Sequence, residues 1–231
     1  MLSRRAEFVS GMQAELPILV GVAPFGMIYG ALAMQAGIPK VAAQAMSAVV
    51  FAGSSQFVAT QLVGVGAPGL VLVLTIAVIN LRHALYSASL APFLKRLRPA
   101  WKWLLAYLLT DEAYAVTIAS FSRRSIEVAD HDLRHWYFLG AGLALWSTWQ
   151  ISTAVGIMLG AVVPASWSLD FTLALTFIAL VAPLLQDRAS WAAALAAGIT
   201  AVLAYGLPYK LGLMAAALVG ILAGMLVEGR K

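Results

Sequence analysis

Two long stretches of this chain carry no charged side chain: no Asp, Glu, Lys or Arg occurs at positions 41–81 or 135–169. A helix crossing the hydrocarbon core of a bilayer needs about 20 apolar residues. Each stretch is therefore long enough for one or two crossings. The rest of the chain agrees, being 62% hydrophobic and 11% charged, where soluble domains carry about 25% charged residues. In hydrocarbon the backbone must satisfy itself within each segment. The sequence thus specifies an all-α polytopic membrane protein, a single transmembrane domain over residues 1–231.

The same composition excludes several function classes. The longest polar stretch, 122–135, is too short to bury a core, so no catalytic soluble domain is attached. Cysteine is absent, which removes disulfides and thiolate metal sites; no cofactor and no metal site is implied. The net charge of +5 lies mostly in loops and ends. In a membrane protein that sets orientation and contact with anionic lipid, not nucleic-acid binding. Glu7 and Glu15 follow Arg4 and Arg5 before the first long apolar run, which spoils a signal-peptide pattern.

The hydropathy pattern gives about seven or eight hydrophobic helices, some broken or re-entrant. Residues 1–15 read as a short interfacial segment. A motif-bearing half follows over 16–121, with spans at 16–36, 41–63, 70–91 and 103–121. Pro24 is expected to kink or break the first. A basic loop with Lys95, Arg96 and Arg98 follows the third, closed by Trp101 and Trp103 as interface anchors. A second half over 136–227 holds a fifth span at 136–163, a sixth starting at Trp167–Asp170 and bent at Pro183, and two Ala- and Gly-rich spans at 189–205 and 210–227. Small residues allow these last two to pack closely or to face a partner. With the N-terminus inside and every segment crossing, the basic loop falls outside, against the positive-inside rule. A break in segment one or two would relieve that conflict.

Polar residues inside the spans are the functional candidates, because hydrocarbon penalises them unless they are partnered. Phe51-Ala-Gly-Ser-Ser-Gln-Phe57 puts Gly53, Ser54, Ser55 and Gln56 near the middle of span two. Gln44, Ser47, Ser54 and Gln61 fall on one helical face. Two readings stay open: helix–helix glue, or a cavity wall unwound at Gly53. In span three, Asn80, His83 and Ser87 share one face, while Arg82, Tyr86 and Ser89 share another. Arg82 either snorkels or pairs. Asp111 and Glu112 stand at mid-depth in span four and point about 100° apart, so they do not act as a dyad on one substrate. Each is a transport-site candidate or an ion-pair partner of Arg82. Ser147, Thr148, Gln150, Ser152 and Thr153 form a belt in span five that suits packing or cavity lining equally.

Five segments in this order resemble the AzlC family, the large subunit of bacterial branched-chain amino-acid exporters: GVAPFGMIYG at 21–30, FAGSSQFVA at 51–59, NLRHALYSASL at 80–90, LTDEAYAV at 109–116 and LDFTLALTFIALVAPLL at 169–185. The resemblance implies a cytoplasmic-membrane exporter of valine, leucine, isoleucine and solutes such as methionine. It implies proton-gradient drive and a small, separately encoded AzlD-type membrane subunit as partner.

A zwitterionic amino acid in a dry site needs donors for its carboxylate, acceptors for its ammonium and an apolar pocket. Broken helices near Gly21–Gly26 and Gly53–Ser55 would supply backbone donors. The substrate-binding candidates are Pro24, Phe25, Gly53, Ser54, Ser55, Gln56, Phe57 and Asn80, with Phe51 as a further lining residue. Arg82, His83, Asp111 and Glu112 are the proton-coupling or ion-pair candidates. The competing readings are a transporter or channel-like subunit for another small solute, and an intramembrane enzyme with Ser54 as nucleophile and His83 as base. No Gly-x-Ser-x-Gly or His-Glu-x-x-His signature supports the enzyme.

Overall fold

The computed structural model describes residues 3–123, 133–160, 185, 187–208 and 211–229. Nine helices lie among them: α1 Arg4–Gln35, α2 Lys40–Val50, α3 Gly53–Gly64, α4 Gly69–Leu94, α5 Pro99–Tyr107, α6 Asp111–Arg123, α7 Arg134–Gly160, α8 Arg188–Leu203 and α9 Leu211–Glu228. No strand occurs among the described residues. Three helices, α1, α4 and α9, are both long and apolar enough to cross a bilayer. The expected sixth span with its bend at Pro183, and most of the 122–135 loop, lie outside the described residues.

The chain divides into two compact units. The first comprises residues 1–61 and 76–163, and its core is the α1–α7 pair. Ser3 starts α1 by accepting a hydrogen bond from the Ala6 amide at 3.1 Å. From Arg4 the helix then runs unbroken through Pro17 and Pro24 to Gln35. This corrects the expected break at Pro24. The reason is the clamp that α7 provides. A Cβ added at Gly30 would lie 2.5 Å from the Thr153 carbonyl oxygen, one at Gly26 2.7 Å from Ser152 Cβ, and one at Gly140 would collide with the Phe8 carbonyl. Two backbones this close keep the helix continuous across the bonds that proline removes.

The break falls instead in the second span, at the expected Gly53, and a further one falls in the fourth. α2 ends at Phe51, which takes a left-handed conformation with φ 38°, and α3 begins at Gly53. The face expected to run from Gln44 and Ser47 to Ser54 and Gln61 is therefore cut in two. The fourth expected span is cut as well. α5 closes on Leu108, Thr110 Oγ1 accepts from the Ala113 amide at 3.3 Å, and α6 starts at Asp111. Asp111 and Glu112 stand in the first turn of a helix instead of midway along one.

The second unit comprises residues 62–75 and 164–231. Here α8 and α9 pack through small residues: a Cβ at Gly220 would meet Ala197 Cβ at 2.9 Å, and one at Gly224 would meet Ala193 Cβ at 3.3 Å. Asp187 caps α8 by accepting from the Ser190 amide at 2.7 Å. Thr75 Oγ1 reaches Met214 Sδ at 3.6 Å. Outward from the seam, Leu195, Ile199, Leu218 and Leu222 are exposed, as lipid-facing side chains are.

Candidate functional site

The two interruptions in the first unit each produce the N-terminus of a short helix. A helix start leaves its first four amides without intrahelical partners and carries partial positive charge. Ser54 and Ser55 ride on the first turn of α3, and Asp111 and Glu112 on that of α6. Arg82, from the middle of α4, joins the two. Its guanidinium donates to Ser54 Oγ at 2.6 Å and pairs with Asp111 Oδ2 at 2.8 Å. Beside it, Ser55 Oγ donates to Asn80 Oδ1 at 2.6 Å. Five sequence candidates on three helices thus meet in this bridge or its neighbouring bond. Arg82 does not snorkel to a headgroup; its charge is turned to Asp111.

Further polar atoms surround this pair. Arg82 Nε, Asp111 Oδ1 and His83 Nε2 are buried and have no hydrogen-bond partner among the described residues. Tyr86 stacks on Tyr114 with centroids 4.4 Å apart, and Tyr114 donates to Ser89 Oγ at 3.0 Å. The Arg82, Tyr86 and Ser89 stripe of α4 therefore faces α6. His83 sets its ring edge-on to Tyr86 at 6.0 Å. Ser54 pairs with a guanidinium, not with the His83 imidazole.

A second, aromatic cluster lies on the same α3 helix. Trp149 Nε1 donates to Gln56 Oε1 at 2.9 Å and stacks near Tyr29 at 6.3 Å. Phe57 meets Tyr29 and Phe25 edge-on, each at 6.1 Å. A Cβ at Gly53 would lie 3.1 Å from the Trp149 ring, so glycine lets the start of α3 approach the indole. Phe51 stands apart, tilted against Tyr107 at 6.1 Å. Pro24 is exposed on α1 and belongs to neither cluster.

A third network behaves as glue. Gln44 Nε2 donates to Gln150 Oε1 at 2.8 Å, Gln150 Nε2 donates to the Ser47 carbonyl at 3.1 Å, and the Ser47 and Thr153 hydroxyls lie 2.9 Å apart. These side chains fasten α2 to α7. Of the belt in span five, Gln150, Ser152 and Thr153 serve packing of this kind.

Two participants escaped the sequence reading. Thr110 caps α6, and its signal was visible: Thr followed by Asp and Glu is a helix-start pattern. Glu15 is the other. It is fully buried in α1, and neither carboxylate oxygen has a hydrogen-bond partner among the described residues. No group of His, Asp and Glu able to hold a metal ion occurs among the described residues.

Comparison with known proteins gives a consistent pattern. Residues 17–163 match the family described as AzlC protein. The Escherichia coli inner membrane protein YgaZ is 28% identical over 96% of this chain and 89% of its own length. An uncharacterized membrane protein of Archaeoglobus fulgidus is 31% identical over 95% of this chain and 94% of its own. The Bacillus subtilis branched-chain amino acid transport protein AzlC is 27% identical over 76% of this chain and 66% of its own. No solved structure matches the chain.

Proposed function

The chain belongs to the AzlC family of multi-pass membrane proteins, and from that premise we propose that it exports branched-chain amino acids across the bacterial cytoplasmic membrane. Valine, leucine and isoleucine are the principal substrates, with methionine a further one. The proton gradient drives export, and a small AzlD-type membrane subunit completes the transporter. The name of the Bacillus subtilis relative supports the substrate class. The observation that carries the reading is the Arg82 bridge between the first turns of α3 and α6.

That geometry fits the needs of a zwitterion. The first-turn amides of α3, together with Arg82, whose guanidinium contacts Ser54, offer donors to the substrate carboxylate. Asp111 Oδ1 and Asn80 offer acceptors to the ammonium. The Phe25–Phe57–Tyr29 cluster is the apolar wall for a branched side chain. Substrate and Asp111 compete for Arg82, so substrate entry loosens the pair. Asp111, Glu112, Glu15 and His83 are the groups that take up and release the proton.

The test is co-expression in a host challenged with Val-, Leu-, Ile- and Met-containing dipeptides, with and without the small neighbouring membrane subunit. Intracellular amino acids are measured over time. The expected result is lower accumulation of all four when both chains are present. Accumulation equal to the empty vector in the presence of both would remove the substrate assignment.

A further inference from the structure

One groove of the first unit belongs to none of the networks above. It has a volume of about 610 Å³ and runs between the C-terminal part of α4 and α5. Ala91 and Leu94 line one wall, Ala106 and Leu109 the other, and Phe138 of α7 closes the floor. Leu105 and Phe138, each 1% exposed, make that floor apolar and firm. Ser87 marks one end and Lys95 with Lys102 the other. At 1.5 Å per helical residue, the trough from Ser87 to Lys95 is about 12 Å long.

We propose that this groove binds an anionic phospholipid, with an acyl chain in the trough and the phosphate between Lys95 and Lys102. Lys102 Nζ donates to the Lys95 carbonyl at 2.9 Å. That bond keeps the two lysines adjacent at the groove's end. Arg96 and Arg98 share their loop, and the sequence has no Asp or Glu between Glu15 and Asp111. Arg134 adds a guanidinium 5.8 Å above the Phe93 ring at the same end of α4. Both lysines are exposed, so neither forms a buried pocket for a free anion. The apolar trough demands a chain and the lysines demand a phosphate, and an anionic lipid brings both. Trp101 and Trp103 flank the lysines at the depth where aromatic side chains meet headgroups.

Native mass spectrometry of the full chain, equilibrated with dioleoyl phosphatidylglycerol or dioleoyl phosphatidylcholine, tests this. The phosphatidylglycerol adduct should exceed the phosphatidylcholine adduct by about thirtyfold, the equivalent of two basic contacts at an anionic surface. Lys95→Ala with Lys102→Ala should abolish that preference, while Lys95→Arg with Lys102→Arg keeps it and guards against a folding artefact. Ala106→Phe fills the trough, leaves both lysines in place and should remove the adduct. Arg96→Ala with Arg98→Ala should leave the preference within about twofold, well inside one basic contact. Equal retention of the two lipids overturns the proposal. So does an equal loss on removing Arg96 and Arg98, or displacement by soluble glycerol phosphate at the lipid's own concentration.

Discussion

Neutralising Asp111 and Arg82 singly and together distinguishes a transporting pair from a structural staple. With Asp111→Asn, Arg82 keeps its bond to Ser54 and a neutral acceptor at position 111 but loses its counter-charge. At an effective dielectric of about 20, two unit charges 4 Å apart attract by about 4 kcal/mol. The side chains of this pair are 30% and 38% exposed, and screening lowers the figure to about 1–2 kcal/mol, between surface and buried pairs. Each single variant should therefore melt about 2–8 °C lower than the parent. The double variant, Arg82→Gln with Asp111→Asn, leaves no charge unpaired and should regain most of that loss. Transport should behave differently. A charge-assisted hydrogen bond is worth about 1.5–3 kcal/mol, so its loss slows valine efflux by about 10- to 150-fold in all three variants. The assay is efflux of labelled valine from proteoliposomes holding both subunits under an imposed pH gradient. A double variant that recovers valine efflux together with its stability would show that the pair only fastens α4 to α6, and the mechanism would fail.

Other consequences follow from the same contacts. Gly30→Leu should abolish monodisperse elution, because overpacking already costs about 1–3 kcal/mol where neighbours can shift and here the neighbour is the Thr153 backbone. Gly21→Ala, with nothing within 4 Å of the added Cβ, should elute as the parent does. Trp149→Phe removes the donor to Gln56 Oε1, and Gln56 Nε2 already lacks a partner. The amide is then stranded at a cost of about 1–3 kcal/mol, to be read as a lower melting temperature. Thr110→Ala should cost about 1 kcal/mol through the lost cap and displace the start of α6. It should lower valine efflux without loss of the folded fraction. Glu15→Gln should leave valine counterflow without a gradient intact while reducing gradient-driven efflux; equal rates in both assays would remove Glu15 from the proton path.

The membrane character of the chain was readable because it rests on composition: charge-free stretches at 41–81 and 135–169 have no soluble solution. Break positions were harder, because local residue rules compete with packing. Proline is the strongest local breaker, yet Pro24 breaks nothing. Its helix lies against α7 through Gly26 and Gly30, and no inspection of 16–36 alone discloses which glycines a distant helix will meet. Conversely, Leu108-Leu109-Thr110 contains neither proline nor glycine, and it ends a helix. There the decisive signal was the Thr110-Asp-Glu start of the next helix, masked by the apolar run around it. The two errors have one physical origin. Hydropathy measures what a segment avoids, which is water; caps and close backbone contacts determine where it bends. The polar site sits at the bends, because only there does a helix expose amides that a side chain or a solute can use. Arg82, Ser54 and Asp111 were each conspicuous alone, and their meeting required the break before α6, which turns Asp111 from a costly mid-helix charge into an N-terminal one favoured by the helix dipole.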